Sequence, residues 1–189
     1  MELREFLTIL EEDPVVAAVK SEEGLERCLQ SSCGIVFILY GSILTIGPIV
    51  DRVKAAGKVA MVHLDLLEGL SAQNVAVDFI AQNTRADGIL SIKPGLIQRA
   101  KAKGLITIQR FFLLDSIALK NIPHQLSQNG ADLVEVLPGA MPKAIAQLAA
   151  SIQKPIIAGG MIRDKEDVTR ALGAGAVGIS ASNETIWGL

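Results

Sequence analysis

At 189 residues, half of them apolar and a fifth charged, the chain is long enough to bury one substantial core and too hydrophobic to stay disordered. A net charge of −2 gives no whole-molecule attraction to nucleic acid or to anionic membrane. No apolar run approaches the ~20 residues of a membrane span. The opening Met1-Glu2-Leu3-Arg4-Glu5 puts acid where a secretory signal carries basic residues, so a cytoplasmic protein without a membrane partner is expected.

Leu3 to Glu11 has the spacing of a helix that Pro14 ends, an extra element suited to covering one end of a barrel. From there, short runs rich in Ile, Val, Leu and Ala recur. They are Val15–Val19, Ile35–Leu39, Val59–Leu64, Gly88–Ser91, Leu105–Gln109, Leu133–Leu137, Pro155–Ala158 and Ala176–Ser180. Runs this uniformly apolar suit parallel strands buried on both faces. Helical spacing lies between them, as in Ile46, Ile49, Val50 and Val53, in Val75, Val77, Phe79 and Ile80, and in Ile145, Leu148, Ala149 and Ile152. Eight strand–helix units predict right-handed crossovers and an α/β fold. The reading is one small (βα)8 TIM-type barrel over residues 1–189 with an extra N-terminal helix; an open doubly wound sheet is the less economical alternative.

In a barrel of this type ligands meet the C-terminal ends of the strands, so the residues just after each strand are the candidates. Lys20 follows the first and Tyr40-Gly41-Ser42 the second. His63 and Asp65 end the third, Lys93 follows the fourth, Arg110 closes the fifth and Glu135 belongs to the sixth. Gly159-Gly160 after the seventh lets backbone amides approach an anion with no Cβ in the way. Ser180-Ala181-Ser182 leads from the eighth into Asn183-Glu184, where a short helix capped by Ser182 would aim free N–H groups at the same spot. A phosphate against Gly159, Gly160, Ser180, Ala181 and Ser182 follows; the bland alternative is a plain turn and a plain cap.

Asp65, Lys93, Arg110 and Glu135 suit polar contacts to a small molecule, or equally an internal ring of paired charges. His63 reads as a packed strand histidine. Asp164-Lys165-Glu166-Asp167 reads as an N-cap with an acidic first turn, and Arg52-Val53-Lys54 and Arg99 to Lys103 as solvated helix faces. Cys28 and Cys33, with His63 and His124 as the only histidines, do not make a metal site by spacing. No metal or cofactor is expected.

Several of these segments form a set. Lys154–Leu189, with PIIAGGMIRDKEDVTRALGAGAVGISASNETIWGL after its first lysine, resembles the C-terminal block of the glycerol uptake operon antiterminator regulatory protein family. So do Lys93-Pro94-Gly95-Leu96-Ile97, Thr107-Ile108-Gln109-Arg110-Phe111-Phe112, Glu135-Val136-Leu137-Pro138-Gly139, His63-Leu64-Asp65-Leu66 and Gly41-Ser42. The resemblance implies a bacterial regulator that responds to glycerol 3-phosphate, its effector, and promotes terminator read-through by binding the leader mRNA of glycerol-utilisation genes. It implies a non-enzyme, with the phosphate near Gly159, Gly160, Ser180 and Ser182 and the glycerol hydroxyls near some of Asp65, Lys93, Arg110 and Glu135. A small barrel enzyme (aldolase, isomerase or lyase) on a phosphorylated three-carbon substrate stays open beside it. So does a metabolite sensor acting through a protein partner, and a homo-oligomer is left open too.

Overall fold

The computed structural model describes residues 1–71 and 73–189. Eight parallel strands close one barrel in sequence order: β1 (Val15–Val19), β2 (Ile35–Ile38), β3 (Val59–His63), β4 (Gly88–Ser91), β5 (Ile106–Phe112), β6 (Leu133–Leu137), β7 (Ile156–Gly159) and β8 (Gly178–Ala181). Helix α1 (Leu3–Glu12) precedes them. The crossover helices are α2 (Glu22–Leu29), α3 (Ile46–Ala55), α4 (Asn74–Asn83), α5 (Pro94–Ala102), α6 (Ser116–Asn129), α7 (Pro142–Ala149) and α8 (Lys165–Gly173). After β8 only a 3-10 turn, Glu184–Ile186, follows, with Ile186 and Trp187 buried against the barrel.

The strands are mostly apolar on both faces because one face meets the barrel interior and the other the helices; the buried polar exceptions include Gln109, Arg110, Glu135 and Ser180. The interior cluster runs through Val16, Phe37, Met61, Leu90, Ile108, Leu133 and Ile157, and Phe6 and Leu10 of α1 belong to it. The leading helix therefore plugs the N-terminal end of the barrel, as its apolar spacing predicts. It ends at Glu12 because Asp13, preceding Pro14, is extended.

Two local readings change. In α4 Val77 and Ile80 are buried and Phe79 is half-buried against the core, as the spacing predicts, but Val75 is exposed and Ala76 takes its place on the buried face. The basic runs are ion-paired rather than merely solvated. Arg99 and Lys103 hold Asp78, Lys101 holds Asp132, Lys54 holds Asp87, and Arg52 reaches Glu22 and Glu26. These pairs tie neighbouring helices and strand ends together. Asp164 caps α8, accepting the Asp167 N–H at 2.9 Å, above an acidic first turn.

Candidate functional site at the barrel mouth

All strands point the same way, so every loop from strand to helix opens on one face. There a cavity of about 540 Å³ is lined by Lys20, Arg110, Glu135, Gly160, Ser180, Ala181, Ser182 and Asn183, with Leu39, Leu66, Leu137, Met161 and Ile162 among its apolar walls. Ser180 and Ala181 are the last residues of β8, and Ser182 begins the loop beyond it.

A buried polar chain underlies this cavity. Arg110 and Glu135 are register partners on β5 and β6, and the Arg110 Nε–H donates to Glu135 Oε2 at 2.5 Å. The Ser180 hydroxyl donates to Glu135 Oε1 at 2.5 Å. Glu135 is fully buried, so its charge depends on these partners. The chain passes from β6 to β8 across β7 because Gly159 lies between them. A Cβ there would stand 2.3 Å from Ser180 Oγ and 2.7 Å from Glu135 Oε1. Gly159 thus belongs to β7 rather than to the loop after it, and does not line the cavity.

Gly160 does line it, with φ of 73°, a backbone state that favours glycine. Met161, at φ 60°, continues in the same left-handed region. The Gly139 N–H donates to the Gly160 carbonyl at 3.0 Å, and the Asn183 Nδ2 to the Arg163 carbonyl at 3.1 Å. The loop after β7 is thereby fastened to its neighbours on both sides.

Lys20, exposed at the end of β1, donates from Nζ to Ser182 Oγ at 3.1 Å and has no carboxylate partner among the described residues. The sequence sets Lys20 just after the first strand, but the expected ligand contacts do not include it. A lysine one residue past a strand looks like any surface lysine until barrel closure sets β1 beside β8. Ser182 is not a helix cap: Asn183 caps the 3-10 turn, accepting the Thr185 N–H.

Asp65 and Lys93 stand outside the cavity lining. Asp65, in the 3-10 turn Leu64–Leu66, accepts the Ile92 N–H at 2.9 Å and so ties the loop after β3 to the one after β4. Its Oδ2 lies 3.5 Å from Nδ1 of buried His63, and among the described residues His63 Nδ1 and Asp65 Oδ1 have no hydrogen-bond partner. Burial first, then the Arg110 charge, push the His63 pKa down to about 4 against the pull of Asp65, so the imidazole is neutral near pH 7. Lys93 is the exposed N-cap of α5. The four charged residues therefore form no continuous ring: Arg110 pairs with Glu135, Asp65 faces His63, and Lys93 projects outward. Cys28 and Cys33 are free and buried, burial raising both thiol pKa values. No cluster of metal-ligating side chains occurs among the described residues.

The fold and mouth define a (βα)8 barrel with a compact, largely apolar-walled cavity at the C-terminal end of its strands, into which Arg110 of β5 and Lys20, just after β1, bring two cations. Residues 15–187 match the family model of the glycerol-3-phosphate responsive antiterminator, and the chain belongs to that family. A curated relative, the uncharacterised protein YgcP of Escherichia coli K12, is 43% identical over 184 residues, 97% of this chain and 96% of its own length. The crystal structure of a glycerol uptake operon antiterminator regulatory protein from Listeria monocytogenes superposes with a TM-score of 0.89 at 28% identity, covering 93% of this chain and 95% of that one. An antiterminator-related protein from Thermotoga maritima gives 0.82 at 31% identity, over 92% and 96%. Deoxyribose phosphate aldolase from Aeropyrum pernix, at 0.72 and 18% identity over 99% and 97%, shares the fold alone. Among the described residues no helix is long and apolar enough to cross a membrane.

Proposed function

We propose that the chain is a cytoplasmic sensor of glycerol 3-phosphate that binds the leader mRNA of glycerol-utilisation genes and promotes read-through of a terminator, with the effector held in the barrel mouth. The observation that carries the placement is the division of polar groups in the cavity. At its rim the Lys20 ammonium and the Ser182 hydroxyl meet at 3.1 Å beside Gly160, a cation and hydroxyl suited to a phosphate. Below them Arg110, Glu135 and Ser180 form a charge-balanced set suited to the hydroxyls of a short polyol. On this reading Ala181 and Gly160 contribute backbone to the phosphate end, and Gly159 contributes by leaving space for Glu135. Asp65 and Lys93 shape the neighbouring loops instead of touching the ligand.

Calorimetric titration with glycerol 3-phosphate tests this. Lys20→Ala removes one charge-assisted contact, a loss of about 1.5–3 kcal/mol, or roughly ten- to a hundredfold in affinity. Glycerol itself, lacking the phosphate, gains nothing from Lys20. Equal affinity of the parent and Lys20→Ala for glycerol 3-phosphate would remove the phosphate from this mouth. The effector is expected to come back from the titration unconsumed; turnover of triose phosphates, or a borohydride-trapped adduct at Lys93, would favour an enzyme.

A further inference from the structure

We propose that the RNA backbone runs across one arc of the barrel's C-terminal face, the arc built by the loops after β4, β5, β6 and β7; this placement rests on the reading above that the chain binds RNA. The argument begins from how the cations are used. Of the 18 Lys and Arg residues, nine are held by carboxylates: Arg27, Arg52, Lys54, Arg85, Arg99, Lys101, Lys103, Arg110 and Arg170. Apart from Arg110 in the barrel, these lie in helix bodies, in last turns or just beyond them.

The nine without a carboxylate partner among the described residues are distributed differently. Only Arg4, Lys58 and Lys154 lie away from the mouth face, and Lys58 is buried on the carbonyls of Ser31 and Cys33. Lys20 points into the cavity. The other five, Lys93, Lys120, Lys143, Arg163 and Lys165, are exposed and sit in consecutive loops or early helix turns from α5 to α8.

The carboxylates of the same arc are already engaged. Asp115 caps α6 by accepting the Ala118 N–H, Asp164 caps α8, Asp167 accepts the Arg163 N–H, and Glu166 pairs with Arg170. The remaining acids of the face without a Lys or Arg partner among the described residues, Glu23, Asp65 and Glu68, belong to the loops after β1 and β3, outside the arc. Capping leaves Asp115, Asp164 and Asp167 charged, so the arc sets five exposed cations against three acids without a Lys or Arg partner, a net positive arc on an acidic protein.

Apolar side chains stand among these cations. Phe112 is 49% exposed, Leu114 86%, Met141 42% and Met161 62%. Cations that follow a phosphate chain, with a ring and flat apolar surfaces between them, fit unpaired nucleotides whose bases can stack. They fit a uniformly acidic protein surface less well, because the apolar tips would then face charge.

The test uses the full chain and a fluorescein-labelled transcript of a glycerol-gene leader, followed by anisotropy with glycerol 3-phosphate present. Lys120→Ala/Lys143→Ala/Lys165→Ala removes three exposed cations of the arc and none that lines the cavity. Arg4→Ala/Arg85→Ala/Lys154→Ala removes equal charge elsewhere. The arc variant is expected to bind RNA at least about tenfold more weakly, with a salt dependence shallower by about 2 in slope if three single-strand phosphates are lost. Its affinity for glycerol 3-phosphate stays that of the parent, which also reports that it is folded. The control variant binds RNA within about threefold of the parent. Parent-like RNA binding by the arc variant overturns this placement and leaves the regulator reading intact. Absence of RNA binding by the parent, while it still takes up glycerol 3-phosphate, overturns both.

Discussion

Glu135 is the residue on which the mouth turns, since among the described residues its carboxylate alone meets both Arg110 and Ser180. Truncating one member of a buried ion pair leaves the other charge without compensation. Glu135→Ala is therefore expected to cost about 3–5 kcal/mol of folding stability, read as a lowered urea midpoint. Glu135→Leu with Arg110→Met removes both charges together and should recover most of that loss, since an apolar pair of similar volume is often as stable. Effector binding gives the complementary readout. The double variant is expected to be folded and unable to hold glycerol 3-phosphate. If it binds the effector as the parent does, Arg110 and Glu135 serve only the fold.

At the scale of elements, most of the order was legible and the exceptions have causes. Predominantly apolar runs marked all eight strands because a closed barrel buries both faces of each. Arg110 marked the wrong end of β5: the strand runs on to Phe112, and the charge stays inside it only because Glu135 stands opposite. The role of Gly159 was illegible because it depends on two side chains from β6 and β8, and no local pattern joins residues so far apart. Lys20 was hidden for the same reason, its partner lying 162 residues away. Helix α1, in contrast, was readable from Leu3 to Glu11 by spacing alone, and its packing can be tested. Leu10 is almost fully buried in the interior cluster. Leu10→Ala should cost about 2–5 kcal/mol by leaving a void at the N-terminal end, measured by thermal or urea unfolding. Glycerol 3-phosphate affinity at the opposite end should be unchanged; a large loss of it would mean that the plug also sets the mouth.

For the whole molecule, the loop after β7 is where effector and RNA would meet. Gly160 and Met161 line the cavity, while Arg163 and Lys165 follow within the same segment on the basic arc. Met161 occupies a left-handed conformation that costs a non-glycine residue energy, and bonds from Gly139 and Asn183 hold the segment in place. Were such a loop to have a second arrangement, a ligand that contacts one arrangement better would shift the balance towards it. If that loop couples the two sites, the coupling must act equally in both directions. Saturating glycerol 3-phosphate should tighten leader RNA by some factor, typically about 5- to 150-fold, and saturating RNA should tighten glycerol 3-phosphate by the same factor. Calorimetry of the effector with and without RNA, beside anisotropy of RNA with and without effector, measures both. Met161→Gly relieves the left-handed strain, and it should change the shared factor while keeping the two values equal. A factor of one in both directions would leave the barrel mouth a binding site with no regulatory link to the RNA surface.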